Sequence, residues 1–139
     1  MNFQELSPYE AIRQAMALYN NAGDRGEISE MMEAFTDDAV LDTTKEEIVG
    51  APAIESYFHK VVSDAVIGGP DRRPARHHLT TSRIELESAD TARAWTYFIL
   101  IRDGVTVQTG IYVDRFSRRG NRWLISRRRV KLEYDADAR

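Results

Sequence analysis

Residues 91–117 read TARAWTYFILIRDGVTVQTGIYVDRFS, two runs rich in β-branched and aromatic residues that meet at Asp103-Gly104. Such side chains fit the pleated, half-buried surface of a strand, and an Asp-Gly pair between two such runs is a strong hairpin signal. In the first run Trp95 and Tyr97 occupy one face and Thr96 and Phe98 the other, so both faces are expected to be partly covered, one by helices and the other by a neighbouring subunit. In the second run Tyr112, Asp114 and Phe116 share a face. Extending the pattern outward predicts strands from His77 to Glu87, Thr91 to Arg102, Val105 to Ser117 and Asn121 to Leu132. Turns at Ser88-Ala89-Asp90, Asp103-Gly104 and Arg119-Gly120 join them into an antiparallel meander.

The N-terminal half is helical in pattern. Ser7-Pro8-Tyr9-Glu10 reads as a serine N-cap, a proline at the first helical position and a glutamate completing a capping box. Ile12, Ala15, Met16 and Tyr19 then recur at helical spacing, which buries the Tyr19 ring and requires a partner for its hydroxyl. Asn20 to Gly26 reads as a break that leaves Asp24 in a loop or at the start of a second helix. That second helix carries Ile28, Met31, Met32 and Phe35 and ends at Thr36-Asp37-Asp38. Short β fragments follow at Ala39 to Asp42 and Ile48 to Gly50. A third helix runs from Pro52 to Ala65, with Ile54, Tyr57, Phe58, Val61 and Val62 on its apolar side and Glu55, His59 and Lys60 opposite. Gly68-Gly69-Pro70 closes it. Helices followed by a meander predict an α+β domain in which helices cover one face of a bent sheet.

At 139 residues with 42% apolar content, the chain is expected to be one domain, 1–139, with room for a core and a small-molecule pocket. A net charge of −3 argues against a general nucleic-acid binder, although arginines cluster at Arg72, Arg73 and Arg76, at Arg118, Arg119 and Arg122, and at Arg127, Arg128 and Arg129. Without a long apolar segment near Met1, no secretory signal or membrane span is expected, and a cytoplasmic location is the reading. The absence of cysteine excludes thiol nucleophiles, disulfides and thiolate metal sites. Three convergent metal ligands cannot be assembled, because His59 falls on a solvent face and the other two histidines are adjacent. Gly68-Gly69-Pro70 follows a helix and so is no phosphate loop. No cofactor is expected.

What remains is an acid/base kit. Tyr19, Asp24 and the His77-His78 pair supply phenol, carboxylate and imidazole; a carboxylate that holds an imidazole lets the ring take a proton, and a phenol can donate to an oxyanion or leaving hydroxyl. Strand alternation sends adjacent histidines to opposite faces, so only one of them can face a cavity. The competing readings are structural: Asp24 as a cap of the second helix, His77 as a strand-edge histidine bonded to backbone, Tyr19 as core packing, and Asp114 in a salt bridge with an arginine such as Arg128.

Several strings, in this order and spacing, resemble the SnoaL-like branch of the nuclear-transport-factor-2-like superfamily. They are Ala34-Phe35-Thr36-Asp37-Asp38-Ala39-Val40, Ile48-Val49-Gly50, His77-His78-Leu79-Thr80-Thr81, Gly110-Ile111-Tyr112-Val113-Asp114-Arg115-Phe116, and Trp123-Leu124-Ile125 with the arginine-rich end. The resemblance implies a cone-shaped α+β fold with three N-terminal helices on a strongly bent, mostly antiparallel sheet that encloses an apolar cavity. Branch members that eliminate water or chloride use an aspartate-histidine pair, and some add a tyrosine five residues before the aspartate; Asp24, His77 and Tyr19 match those positions, with His78 the alternative for the histidine. The resemblance puts the face of Tyr112, Asp114 and Phe116 on the cavity side; these with His78, Tyr97 and Arg128 are the expected substrate contacts. A homodimer or homotrimer is expected from the two covered strand faces, in keeping with the branch. Ketosteroid isomerases match less well: Tyr19 and Asp114 fit their oxyanion donors, but their catalytic base falls on Thr43, and neighbouring Asp42 would point the other way. The expected activity is therefore a cofactor-independent lyase, a dehydratase acting on an apolar cyclic substrate. Isomerisation, polyketide cyclisation or a non-catalytic ligand-binding or assembly role stand as the alternatives.

Overall fold

The computed structural model describes residues 7–66 and 74–136. Helix α1 spans Pro8–Asp24 and starts as the sequence predicts: Ser7 is extended, and its Oγ accepts the Glu10 backbone N–H at 3.3 Å. The Glu10 carboxylate is engaged forward, accepting from Gln14 at 3.1 Å. The expected break at Asn20 does not occur. The helix continues to Asp24, and its end is made by Gly26, whose φ of +73° is the left-handed geometry glycine adopts without strain. Gly26 N–H donates to Gly23 O and Glu27 N–H to Ala22 O, at 3.0 and 2.9 Å, the paired closure of a Schellman end. Asp24 is thus the last residue of α1 rather than a loop residue or a cap of the next helix. Helix α2, Ile28–Met31, has Glu27 before it with no side-chain cap bond.

The second helix, in contrast, is shorter than expected. A 3-10 turn at Met32–Ala34 follows it, and Phe35, read as helical, begins strand β1, Phe35–Asp42. Strand β2, Glu47–Val49, and helix α3, Ala51–Val66, come next. Gly68-Gly69-Pro70, Arg72 and Arg73 lie outside the described residues. Strands β3, Arg76–Leu86, β4, Thr91–Arg102, β5, Val105–Arg119, and β6, Arg122–Asp135, complete the chain. Asp103 and Gly104 both have positive φ, the two-residue hairpin geometry whose twist matches the flanking strands.

The six strands form a curved, unclosed sheet in the order β2-β1-β6-β5-β4-β3. β3 to β6 are an antiparallel meander, whereas β1 pairs with β6 in parallel. Register shifts between Leu79 and Ser82, Leu100 and Ile101, and Thr109 and Gly110 mark bulges, which bend strands and sharpen their twist. Ile12, Met16, Phe98, Phe116, Leu41 and Ile125 are buried between the helices and the inner sheet face. Gly110 is required on that face, since a Cβ there would collide with the Lys131 carbonyl and sit 2.7 Å from a Phe98 ring carbon.

Candidate active site

The end of α1 meets the start of β3 at Asp24 and His77. Asp24 Oδ2 accepts the His77 backbone N–H at 2.9 Å, and Oδ1 lies 2.7 Å from His77 Nδ1. A carboxylate at a helix C-terminus faces the negative end of the helix dipole and needs such partners; this one is 8% exposed. With the carboxylate accepting, a proton sits on Nδ1, and in the neutral ring Nε2 carries the lone pair. Among the described residues Nε2 makes no hydrogen bond. The ring leans on Phe98, with centroids 5.8 Å apart.

Beside this pair lies a cleft of about 120 Å³. Ile28, Met31, Phe58, Val61 and Val62 form its apolar walls, and Tyr19, Asn20, Asp24 and His77 supply its polar groups. Helical spacing brings Tyr19, Asn20 and Asp24 to one side of α1. Tyr19 is buried, with edge-on contacts to Phe35, Phe58 and Tyr112. Burial raises its phenol pKa above the ordinary 10.0, an effect that the Arg128 charge offsets in part, so the phenol keeps its proton.

The other candidate residues lie elsewhere. His78 is exposed on the outer sheet face. Tyr97 also points outward and is 50% exposed; with Trp95, Ile111, Val113 and Arg83 it lines an outer groove of about 440 Å³. That hollow is larger than the cleft but holds neither Asp24 nor His77. Tyr112, Asp114, Phe116 and Arg128 do face inward, but they form a closed cluster behind Tyr19 and do not line the cleft. Arg128 Nε and Nη2 each donate to Asp114 at 2.8 Å with both side chains fully buried. The guanidinium lies between the rings of Tyr19 and Tyr112, 4.3 and 4.0 Å from their centroids. Burial pushes the Asp114 carboxyl up and the Arg128 charge offsets part of that; for Arg128 burial acts to lower the pKa, but the charge and hydrogen bonds of Asp114 together with the Tyr19 and Tyr112 phenols outweigh it, and the guanidinium stays protonated. Thr43 forms a surface turn with Glu46, and Asp42 faces Arg127 and Arg129 at 3.6 and 3.7 Å.

Asn20 is the cleft residue that sequence reasoning missed. It falls four residues after Met16 and eight after Ile12, on the buried stripe; reading a helix break there concealed it. Its Nδ2 donates to the Tyr112 hydroxyl at 3.2 Å, and the residue is 6% exposed.

Comparison with known proteins shows the class to which this fold belongs. The model of the SnoaL-like domain matches residues 4–129, and the chain belongs to that family, with the nuclear-transport-factor-2-like, cystatin-like fold of its structural relatives. A scytalone dehydratase candidate from Novosphingobium aromaticivorans DSM 12444 is similar at 19% identity, TM-score 0.79, covering 100% of this chain and 93% of that one. The hexachlorocyclohexane dehydrochlorinase LinA-type3 from Novosphingobium barchaimii LL02 is similar at 17% identity, TM-score 0.78, covering 97% and 92%. An aromatic ring hydroxylase candidate from Novosphingobium aromaticivorans is similar at 26% identity, TM-score 0.74, covering 92% of each chain. No curated protein matches. Among the described residues, no helix is long and apolar enough to cross a membrane, and no group of three or more potential metal ligands gathers.

Proposed function

We propose that the protein is a cofactor-independent lyase, a dehydratase in which Asp24 and His77 work as an acid/base pair on an apolar cyclic substrate. The observation that carries this reading is the two-point contact of Asp24 with His77 beside an apolar cleft. His77 Nε2 takes a proton from carbon, and the C–H electron pair becomes the new C=C bond. The C–O pair leaves with the hydroxyl, which takes the proton back from Nε2 and departs as water. Asp24 holds the ring and balances the charge of the transient imidazolium. Tyr19, which keeps its proton, donates a hydrogen bond to the leaving hydroxyl or to an enolate oxygen.

The cleft's size narrows the substrate. An apolar cavity of roughly 150 Å³ takes a benzene ring, so a cleft of about 120 Å³ takes at most one ring, incompletely enclosed, and leaves the remainder of a larger molecule outside. A ketosteroid-isomerase mechanism is disfavoured, because both Asp114 oxygens are engaged by Arg128 and the residue does not line the cleft.

The test is elimination of water from small cyclic β-hydroxy ketones, followed by appearance of the conjugated product. Asp24→Asn and His77→Ala are each expected to lower turnover by ~100-fold or more, as loss of a positioned acid or base does. Losses of only a few-fold in both folded variants would refute the acid/base roles.

A further inference from the structure

The elimination chemistry leaves one polar group of the cleft unused. Asn20 is more than nine-tenths buried and one end of its amide is held by Tyr112, while its Oδ1 meets no donor among the described residues. Thr36 Oγ1 and Arg128 Nη1 are likewise without partners, but neither residue lines the cleft. A buried carbonyl that has given up hydration without gaining a donor is destabilising, and a bound molecule can supply the missing donor. The walls around it are apolar, so the donor has to come on an otherwise apolar body.

We propose that Asn20 is a specificity-determining residue, and that the ring entering this cleft carries a hydroxyl group that hydrogen-bonds to it. The inference rests on the cleft being the reaction site and deepens that reading, because it selects hydroxylated rings over halogenated ones. A hydroxyl both donates and accepts, so it satisfies the amide in either of its two orientations; a ring chlorine donates nothing and accepts poorly. Sites built to hydrogen-bond a hydroxyl reject the analogue that lacks it more strongly than apolar pockets discriminate by size. Among the structural relatives, one is described as a dehydratase and another as a dehydrochlorinase; Asn20 places this chain with the chemistry of the former.

Phenol and chlorobenzene, similar in shape, are the probes. Each is titrated into the full chain and followed by NMR at the Val62 and Ile28 methyls and the Asn20 side-chain amide. Both rings are expected to shift the methyls, with phenol binding about three- to tenfold tighter, the range for one net neutral hydrogen bond. Only phenol should shift the Asn20 amide pair, and Asn20→Leu should abolish or invert the preference. Equal affinities in the unaltered chain, a phenol preference that survives Asn20→Leu, or exclusion of both rings would each overturn the proposal. If Asn20→Leu does not fold, the unaltered chain decides: methyls that respond to phenol while the Asn20 amide stays still refute it. These readouts measure binding alone. Failure of the Asp24 and His77 turnover test would leave them standing, and their failure would leave the acid/base pair untouched.

Discussion

Replacing Asp114 with leucine strands a charge at the centre of the protein. In the native structure two N–H donors of Arg128 meet the Asp114 carboxylate at 2.8 Å, and neither side chain is exposed to any measurable extent. Nη1 is already without a partner, and Asp114→Leu removes both bonds that Nε and Nη2 make to the carboxylate. Arginine cannot escape by losing its proton. Contact with the Tyr19 and Tyr112 rings recovers a part, up to about 2 kcal/mol for a desolvated cation–π pair, but that contact exists before and after the change. Breaking a buried pair from one side costs about 3–5 kcal/mol. With a urea m-value of about 1.5 kcal/mol/M, the unfolding midpoint should fall by about 2–3 M. The double variant Asp114→Leu with Arg128→Met removes both charges and should recover most of the loss, because an apolar pair of similar volume is often as stable as the ion pair it replaces. Urea titration followed by circular dichroism measures all three proteins. A single-variant loss below about 1 kcal/mol, or a double variant no more stable than Asp114→Leu, would refute the account of this pair as a mutually dependent buried charge.

Gly110→Ala should destabilise by about 1–3 kcal/mol, the usual cost of overpacking, since the added methyl meets the Lys131 carbonyl and the Phe98 ring, and neither can retreat. The melting temperature should fall by about 3–10 °C, and an unchanged value would show that the sheet yields there. Stability should also fall as pH rises above 10. Burial raises the Tyr19 and Tyr112 phenols above their ordinary 10.0, so in that range the folded state binds more protons than the unfolded one, and the stabilisation present below pH 10 is lost as pH rises through the folded-state values. Urea midpoints between pH 9 and pH 11 should therefore decline less steeply in the Tyr19→Phe and Tyr112→Phe variants; an unaltered slope in both would contradict the assignment.

Local chemistry by itself determines a good part of this protein. Ser7 and Pro8 start α1, Asp103-Gly104 turns the central hairpin, and the alternation around His77 and His78 sends them to opposite faces, because caps, turns and pleats depend on neighbours within a few residues. The α+β class follows from the same short-range periodicities. What only the tertiary structure decided involves groups distant in sequence. Gly23 stays helical beneath Met31, so α1 reaches Asp24 and aims its carboxylate at a strand 53 residues later. The parallel pairing of β1 with β6 and the outward turn of Tyr97 are likewise matters of register. An inward aspartate among aromatics calls for the salt bridge that Asp114 makes with Arg128, but nothing in the sequence shows its withdrawal from the cleft. The residual volume of the cleft and the unpartnered carbonyl of Asn20 depend on how several elements close together, and periodicity along a single chain carries no measure of the space left between them.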